Sequence, residues 1–197
     1  MLEACKKCRR EGVKLILKGE RCLSPKCAFT RRSYAPGDHG QGSFSKTSEY
    51  GKQLREKQKA KRIYGIIESQ FSRYAKTVNK MVGNKSENLM RFLELRLDNI
   101  AYRMGLAESR SHARQLVSHG LVTVNGKKVT IPSYRVSEGD VIAPKTTGNF
   151  KDRSLNSSIT WIQVDNKKIS CKISHLPIRD EIDTPINESL VIEYYSR

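Results

Sequence analysis

The amino-acid sequence predicts an α+β protein in three parts: an N-terminal segment bound to a metal through four cysteines, a helical domain, and a small domain with a helix pair and antiparallel strands. Three observations predict this division. Residues 1–40 hold four cysteines without a sustained hydrophobic period, residues 48–104 place apolar side chains at helical spacing, and from residue 121 the period changes to two. The 197 residues also exceed the usual size of one domain, about 100–150 residues, so more than one module is expected.

The N-terminal segment is predicted to be rich in loops, with turns at Ser24-Pro25 and Pro36-Gly37, and to need a cross-link. Two cysteine pairs can supply it: Cys5, Cys8, Cys22 and Cys27. Because the cytosol reduces disulfides, these thiols predict a metal site, with one zinc ion as the expected metal and a four-iron four-sulfur cluster as the alternative. Four unrelated thiols are a third interpretation. Cys171 stands alone and is predicted to be a small core residue.

Helical spacing dominates the next part of the chain. Apolar residues between Ser48 and Met81 predict two amphipathic helices parted near Gly65. A stripe from Leu89 to Met104 predicts one further helix that ends at Gly105. Ser109 is a predicted N-cap for a short helix that closes at Gly120.

Strands follow that helix. Residues 121–131 predict a tight hairpin, because Asn125-Gly126 supplies the positive backbone angles of a type I′ turn. A third strand is expected from Val136 to Ile142. After a turn-rich stretch at 144–158, residues 161–164 and 169–173 predict a second hairpin across Asp165-Asn166.

Charge indicates the class of partner. Lys and Arg number 37 against 20 Asp and Glu, a formal net charge of +17, and residues 1–62 alone hold 17 basic against 6 acidic residues. This favours a polyanionic partner, with nucleic acid first and a membrane surface or an acidic protein as alternatives. No apolar run reaches the roughly 18–20 residues of a membrane helix, and no signal peptide is recognisable, so a cytoplasmic protein without a membrane is expected.

The sequence offers no catalytic constellation, and an enzyme is therefore not expected. Basic residues instead bracket the short helix and the first hairpin, where helix N-termini and side chains can hold phosphates. A rigid helix pair beside a strand edge suits the shallow minor groove of RNA. A generic α+β domain with a charged surface is the alternative interpretation.

Three segments resemble the RNA-binding domain of the bacterial-type family of small-subunit ribosomal protein four: RLDNIAYRMG at 96–105, SRSHARQLVSHG at 109–120 and VNGKKV at 124–129. The segments around 50–65 and 187–196 are similar to that family's helical domain and C-terminus. The four cysteines match the spacing of its metal-binding subgroup.

The resemblance implies a metal-binding segment at 1–40, a helical rRNA-binding domain at 41–91 completed by 184–197, and an inserted RNA-binding domain at 92–183. It implies a non-enzymatic constituent of the small ribosomal subunit, cytoplasmic and ribosome-bound, that binds small-subunit ribosomal RNA and nucleates assembly. Further implied partners are mRNA at the channel through which it enters the subunit and neighbouring ribosomal proteins three and five, with an influence on translational accuracy. The alternative is an RNA-modifying enzyme or RNA chaperone that shares the same small domain.

The side chains expected to contact RNA are basic or polar and are concentrated in the first two thirds of the chain. They are Arg9, Arg10, Lys14, Arg31, Arg32, His39, Lys46, Lys52, Arg55, Lys57, Lys59, Lys61, Arg62, Arg73, Arg96, Arg103, Arg110, His112, Arg114, Gln115, Ser118, His119, Asn125, Lys127 and Lys128.

Overall fold

The computed structural model describes residues 2–42, 47–146 and 159–196. The chain forms two compact units, one of Met1–Lys80 with Pro185–Arg197 and one of Met81–Thr184. The described helices are α1 (Leu2–Glu11), α2 (Glu20–Leu23), α3 (Ala28–Arg31), α4 (Glu49–Tyr64), α5 (Glu68–Lys80), α6 (Lys85–Glu94), α7 (Leu97–Arg103), α8 (Arg110–Ser118) and α9 (Glu188–Tyr195). The described strands are β1 (Val122–Val124), β2 (Lys127–Lys128), β3 (Val141–Pro144), β4 (Ile162–Asp165) and β5 (Ser170–Ile173).

The first unit confirms the two predicted helices and their separation. The Ser48 hydroxyl accepts a hydrogen bond from the Gly51 N–H, 3.2 Å away, and so caps the start of α4. Gly65 ends α4 in the left-handed conformation with φ 64°. The prediction of a loop-rich N-terminus is wrong for residues 2–11, because they form the ten-residue helix α1 and place Cys5 and Cys8 on it.

The carboxylate of Glu68 joins three helices of the first unit. It accepts hydrogen bonds from Lys57 Nζ at 3.0 Å and Lys61 Nζ at 2.6 Å, both on α4, and from the Tyr195 hydroxyl of α9 at 2.6 Å. Partial burial raises its pKa, but these hydrogen bonds outweigh that effect and lower it to about 2. Glu68 therefore stays charged where α4, α5 and α9 meet.

The second unit packs α6, α7 and α8 with an antiparallel five-stranded sheet of order β2-β1-β3-β5-β4. Asn125 and Gly126 adopt φ values of 51° and 77°, which confirms the predicted hairpin turn. The second hairpin is confirmed as β4–β5, which pairs Ile162 with Ile173. The core between helices and sheet includes these fully buried side chains: Leu97, Ile100, Met104, Leu106, Ile142, Trp161 and Ile173.

Two predicted elements of the second unit differ from the structure. The stripe from Leu89 to Met104 belongs to two helices, because α6 ends at Glu94 and Arg96 is extended with φ −73° and ψ 138°. At this break, backbone groups form hydrogen bonds with the loop after β2 instead of within a helix. The Leu97 N–H donates to the Tyr134 carbonyl, and the Leu95 carbonyl accepts from the Val136 N–H, both at 2.9 Å. Tertiary pairing therefore overrides the helical period at this point.

The strand expected at residues 136–142 begins later. Asp140 accepts a hydrogen bond from the Ser137 N–H at 2.8 Å and closes a turn, so that β3 begins at Val141. Most of the predicted turn-rich stretch, residues 147–158, lies outside the described residues. Within the described residues, no helix has the length and apolar character that a membrane span requires.

Replacing Glu68 by Gln is expected to lower the free energy of unfolding at neutral pH by about 1 kcal/mol, because the carboxylate is about half exposed and solvent screens its ion pairs. A carboxyl group whose pKa is lowered on folding stabilises the protein above its unfolded pKa, near 4.5, and loses this effect as the pH falls towards 2. Urea titrations of both proteins at several pH values should show their difference constant above pH 5 and shrinking below it. Glu49→Gln, at a more exposed pair with Lys52, is the control. A difference that persists unchanged at pH 2 would contradict this role.

Candidate nucleic-acid interface

The predicted RNA-binding side chains differ in how far they reach solvent. Fourteen are exposed: Arg10, Lys14, Arg31, Arg32, His39, Lys52, Arg73, Arg114, Gln115, Ser118, His119, Asn125, Lys127 and Lys128. Seven are half-buried: Arg9, Arg55, Lys59, Lys61, Arg62, Arg110 and His112. Lys57, Arg96 and Arg103 are buried, and Lys46 lies outside the described residues.

The three buried cations are held by carboxylates of their own unit. Lys57 Nζ lies 3.0 Å from Glu68, and Arg96 donates two hydrogen bonds to Asp98, at 3.0 and 2.6 Å. Arg103 donates to Glu94 from two nitrogens, at 3.0 and 2.9 Å. A phosphate could reach these groups only by displacing the carboxylate that each one binds, which is buried for Arg96 and Arg103 and about half exposed for Lys57. In this structure all three cations therefore help to hold the fold.

Helix α4 carries six predicted RNA-binding cations, and each lies in an ion pair. The pairs are Lys52–Glu49 at 2.7 Å, Arg55–Glu11 at 3.4 Å, Lys57–Glu68 at 3.0 Å, Lys59–Glu56 at 2.6 Å, Lys61–Glu68 at 2.6 Å and Arg62–Glu11. Burial raises the pKa of Glu11, and the nearby guanidinium groups of Arg62 and Arg55 partly offset this rise. The positive charge of α4 is therefore largely balanced by carboxylates within the same unit.

A basic groove beside α1 is assembled from distant parts of the sequence. Its described lining is Lys6, Lys7, Arg10, Pro36 and Arg62. Arg9 fixes the loop that forms one wall, because its guanidinium stacks on the Tyr34 ring at 4.8 Å and donates to the Tyr34 and Ala35 carbonyls at 2.9 and 3.2 Å. The loop is packed so closely that a Cβ on Gly40 would lie 1.9 Å from the Ala35 carbonyl oxygen.

In the second unit, α8 and the β1–β2 hairpin together form a polar surface. We call it the α8–hairpin surface, and its exposed side chains are Arg114, Gln115, Ser118, His119, Lys127 and Lys128. The Ser109 hydroxyl accepts from the His112 N–H at 3.3 Å, which confirms the predicted N-cap of α8. Gly120, with φ 69°, lets the Lys128 stem lie against the end of α8, since a Cβ there would meet Lys128 Cε at 2.0 Å.

The side chains of Arg110 and Arg114 on α8 are held in place by residues of α7. Arg110 donates to Asn99 Oδ1 at 2.8 Å and stacks on the Tyr102 ring at 4.5 Å, whereas a fully solvated arginine would have neither contact. Arg114 lies 3.7 Å from Asp98 and is half exposed. Both guanidinium groups therefore start from a defined orientation, which lowers the entropy lost when they bind a phosphate.

Asn125 has a structural part in the hairpin. Its Nδ2 donates to Asp140 at 2.7 Å and its Oδ1 accepts from the Val141 N–H at 2.9 Å. The amide side chain therefore already has partners on both its donor and its acceptor atom. These hydrogen bonds tie the turn to β3, while the side chain itself is exposed, and its contact with RNA stays a prediction.

The four N-terminal cysteines line one small pocket together with Ala4, Leu17, Lys18 and Phe29. The pKa of the Cys8 thiol is raised overall, mainly by burial and further by the other three cysteines, although a hydrogen bond with the Leu15 backbone lowers it in part. Burial also raises the pKa of Cys27, but hydrogen bonds to the backbone of Thr30 and Phe29 outweigh this, and the net pKa is lowered. In the part of the chain that the structure describes, no three His, Cys, Asp or Glu side chains have a metal-holding geometry.

The lone cysteine is a core residue, as predicted. Cys171 is buried, and its Sγ lies 3.5 Å from the Met104 sulfur. Burial raises the pKa of its thiol to about 12, so the group is protonated at neutral pH.

Sequence reasoning missed several exposed cations. Lys6 and Lys7 reach the groove beside α1, and Lys76 and Lys80 lie on the outer side of α5. Arg135 stacks on the Phe92 ring at 4.1 Å. The helical period could have shown that Lys76 and Lys80 lie opposite the apolar side of α5, but no local pattern pairs Arg135 with Phe92.

Comparisons with known proteins agree along the chain. The family model described as "Ribosomal protein S4/S9 N-terminal domain" matches residues 3–94, and the one described as "S4 domain" matches residues 95–142. The chain is 54% identical over 200 residues to small ribosomal subunit protein uS4A of Alkaliphilus metalliredigens, covering 98% of this chain and 96% of that protein. It is 53% identical over 201 residues to uS4 of Pelotomaculum thermopropionicum, with coverage of 98% and 96%. With uS4 of Acetivibrio thermocellus it shares 54% identity over 202 residues, with coverage of 98% and 97%.

Replacing Glu94 by Gln is expected to lower the free energy of unfolding by about 3 kcal/mol, because the buried Arg103 loses its fully buried carboxylate partner. Chemical denaturation followed by circular dichroism measures this loss. Glu87→Gln, at a partly exposed pair with Arg91 in the same unit, should change stability by only about 0.5 kcal/mol. Equal losses of unfolding free energy in the two variants would show that the buried pair stabilises the protein no more than the exposed pair does.

Proposed function

The chain belongs to the family of small ribosomal subunit protein uS4, and from this membership we propose that it is a structural component of the small ribosomal subunit that binds ribosomal RNA. The observation that carries the proposal is the identity of 53–54% along 98% of the chain to three relatives that bear this name. Members of this family are structural, non-enzymatic components of the ribosome. The alternative of an RNA-modifying enzyme or an RNA chaperone gains no support from these relatives.

The α8–hairpin surface supports direct RNA binding in the second unit. Arg114, Lys127 and Lys128 can contact phosphates, while the exposed Gln115 and Ser118 side chains can bond to ribose hydroxyls. The buried side chains beneath α8 orient this surface before RNA arrives. A rigid, pre-oriented surface favours recognition of a folded RNA by its shape.

The finer role that the family implies is also part of the proposal. The protein would bind early and nucleate assembly of the subunit, contact mRNA where it enters, and adjoin ribosomal proteins three and five, with an effect on accuracy. The high net charge and the separate basic surfaces on both units support early binding to naked RNA. Cross-linking within purified subunits would identify the neighbouring proteins and any mRNA contact.

One zinc ion bound by Cys5, Cys8, Cys22 and Cys27 completes the proposal, with a four-iron four-sulfur cluster as the alternative. All four side chains line the same pocket, and Cys22 Sγ accepts a hydrogen bond from the Lys18 N–H at 3.4 Å. Backbone hydrogen bonds lower the net pKa of Cys27 and so favour its thiolate, the form that binds metal. The ion would join α1 to the segments that carry Cys22 and Cys27, and so would supply a structural cross-link.

The double variant Arg110→Ala/Arg114→Ala is expected to bind a small-subunit ribosomal RNA junction about tenfold more weakly, with a salt slope shallower by about 1.5, because two phosphate contacts are lost. Filter binding at several salt concentrations measures both quantities, well below the melting temperature because Arg110 also contacts Asn99 and Tyr102. Cells that depend on the variant should accumulate immature small subunits.

Lys167→Ala/Lys168→Ala removes the same charge from the exposed β4–β5 turn and is the matched control for that experiment. It should bind the junction nearly as well as the unchanged protein. Equal affinity of all three proteins would exclude RNA contact by Arg110 and Arg114, and binding of the unchanged protein to any RNA with equal affinity would refute the proposed function.

The purified protein is expected to contain about one equivalent of zinc, or an iron cluster that absorbs visible light. Cys22→Ser/Cys27→Ser should abolish metal binding and reduce the folded content of residues 2–42, whereas Cys171→Ala should retain the metal. Elemental analysis and circular dichroism provide the measurements. Metal-free protein with a folded N-terminal segment and four freely reactive thiols would disprove the site.

A further inference from the structure

The first hairpin of the second unit contains the only asparagine in the sequence that is followed by glycine, Asn125-Gly126. The turn favours this pair, because both residues have positive φ values, 51° and 77°. The same pair is chemically labile, since glycine has no side chain to hinder its backbone nitrogen, which can attack the side-chain amide of the preceding asparagine. The hairpin conformation therefore selects a dipeptide that can lose its amide.

The turn is open to solvent. Asn125 and Gly126 are both exposed, and a Cβ built on Gly126 would meet no heavy atom within 4 Å among the described residues. Water, which the loss of the amide consumes, therefore has access to both residues.

Three hydrogen bonds hold Asn125 against the beginning of β3. Its backbone N–H donates to the Val141 carbonyl at 2.8 Å, and its Oδ1 accepts from the Val141 N–H at 2.9 Å. Its Nδ2 donates to Asp140 at 2.7 Å. The side-chain amide is thus fixed at its oxygen and at its nitrogen, and these bonds must be lost or distorted before the amide can turn towards the Gly126 nitrogen.

We propose that Asn125 is a site of spontaneous deamidation that its hydrogen bonds to β3 hold in check, which goes beyond the proposed function. The Gly126 nitrogen loses its proton to water and bonds to Asn125 Cγ, while the Cγ–Nδ2 bond breaks and Nδ2 takes up a proton and leaves as ammonia. Water then opens the cyclic imide at either carbonyl carbon, which gives aspartate or isoaspartate. The net reaction consumes water, releases ammonia and needs no oxidant or cofactor.

The product cannot restore the native contacts. A carboxylate at this position has no N–H to donate, and it would face the carboxylate of Asp140 where the amide now lies at 2.7 Å. Isoaspartate also adds a carbon to the main chain of a two-residue turn, on whose length the pairing of Val124 with Lys127 depends. Deamidation therefore loosens the hairpin and adds a negative charge to the α8–hairpin surface.

The test follows deamidation at Asn125 by peptide mass spectrometry while the folded full-length protein is incubated in mildly alkaline buffer. Asp140→Ala removes the acceptor of Nδ2 and should speed the reaction at Asn125 about tenfold, because a hydrogen bond to a charged group no longer holds the amide. Asp165→Ala is the matched control, since Asp165 closes the β4–β5 turn with hydrogen bonds from backbone N–H groups at 3.0 and 3.2 Å. It should leave the rate at Asn125 unchanged.

The unchanged protein provides a second comparison that needs no variant to fold. Unfolding in urea removes the hydrogen bonds between the turn and β3, so Asn125 should react at least about tenfold faster in urea than in native buffer. The other asparagines, which are not followed by glycine, should react more slowly than Asn125 in urea.

The incompatibility of the product with the fold is tested by exchanging the amide and the carboxylate. Asn125→Asp alone should lower the melting temperature by about 5 °C, because it brings two carboxylates together. Asn125→Asp/Asp140→Asn should recover most of this loss, since the exchanged amide can donate to the exchanged carboxylate and still accept from the Ser137 N–H. No recovery in the double variant would contradict the proposed contact.

The rates decide the proposal. Equal rates at Asn125 in the unchanged protein and in Asp140→Ala would overturn it, and so would an equal acceleration in Asp165→Ala, because general loosening would then explain the effect. Equal rates in urea and in native buffer would show that the fold gives no protection. These measurements involve no RNA, so failure of the proposed function, seen as unselective RNA binding by the unchanged protein, is distinguished from failure of this proposal.

Discussion

A fully buried carboxylate, that of Glu94, constrains how the second unit is assembled. A buried negative charge is tolerated only when donors surround it, and here Asn99 donates at 2.7 Å while Arg103 donates from two nitrogens. Both donors lie on α7, so the end of α6 is tied to α7 across the break between the two helices. The Thr184 hydroxyl, 3.4 Å away, brings the end of the unit to the same carboxylate.

This arrangement extends from the core to the α8–hairpin surface. The Asn99 side chain donates to Glu94 and accepts from Arg110, so one amide links the buried charge to the first residue of α8. Next to it, Asp98 binds the buried Arg96 and lies 3.7 Å from the exposed Arg114. The carboxylate of Asp98 is thus shared by a buried arginine, Arg96, and an exposed one, Arg114. The side chains of α7 that stabilise this unit therefore also orient Arg110 and Arg114.

Carboxylates sort the basic residues of the first unit in a similar way. Glu11, Glu56 and Glu68 pair with most cations of α4, including Arg62 at the edge of the groove beside α1. Among the described residues, no carboxylate lies within ion-pair distance of the other groove cations, Lys6, Lys7 and Arg10. A high net charge therefore does not mean that every lysine and arginine meets RNA. Since phosphate neutralisation drives binding to nucleic acid, a cation without a carboxylate partner can gain more from a phosphate than an ion-paired one.

The sequence by itself determined the α+β class, the helices parted at Gly65, the capped helix after Ser109, the Asn125-Gly126 hairpin and the positive charge, because these depend on residues close in the chain. The family resemblance also lay in contiguous motifs. Only the tertiary structure decided the break at Arg96, the late start of β3 and the division of cations into paired and available ones. Those features depend on partners that are distant in the sequence. Glu11 and Arg62 are 51 residues apart, and Arg96 forms an isolated β-bridge with Arg135. Local periodicity cannot specify such pairs, since it contains no information about which distant carboxylate or strand will approach a given residue.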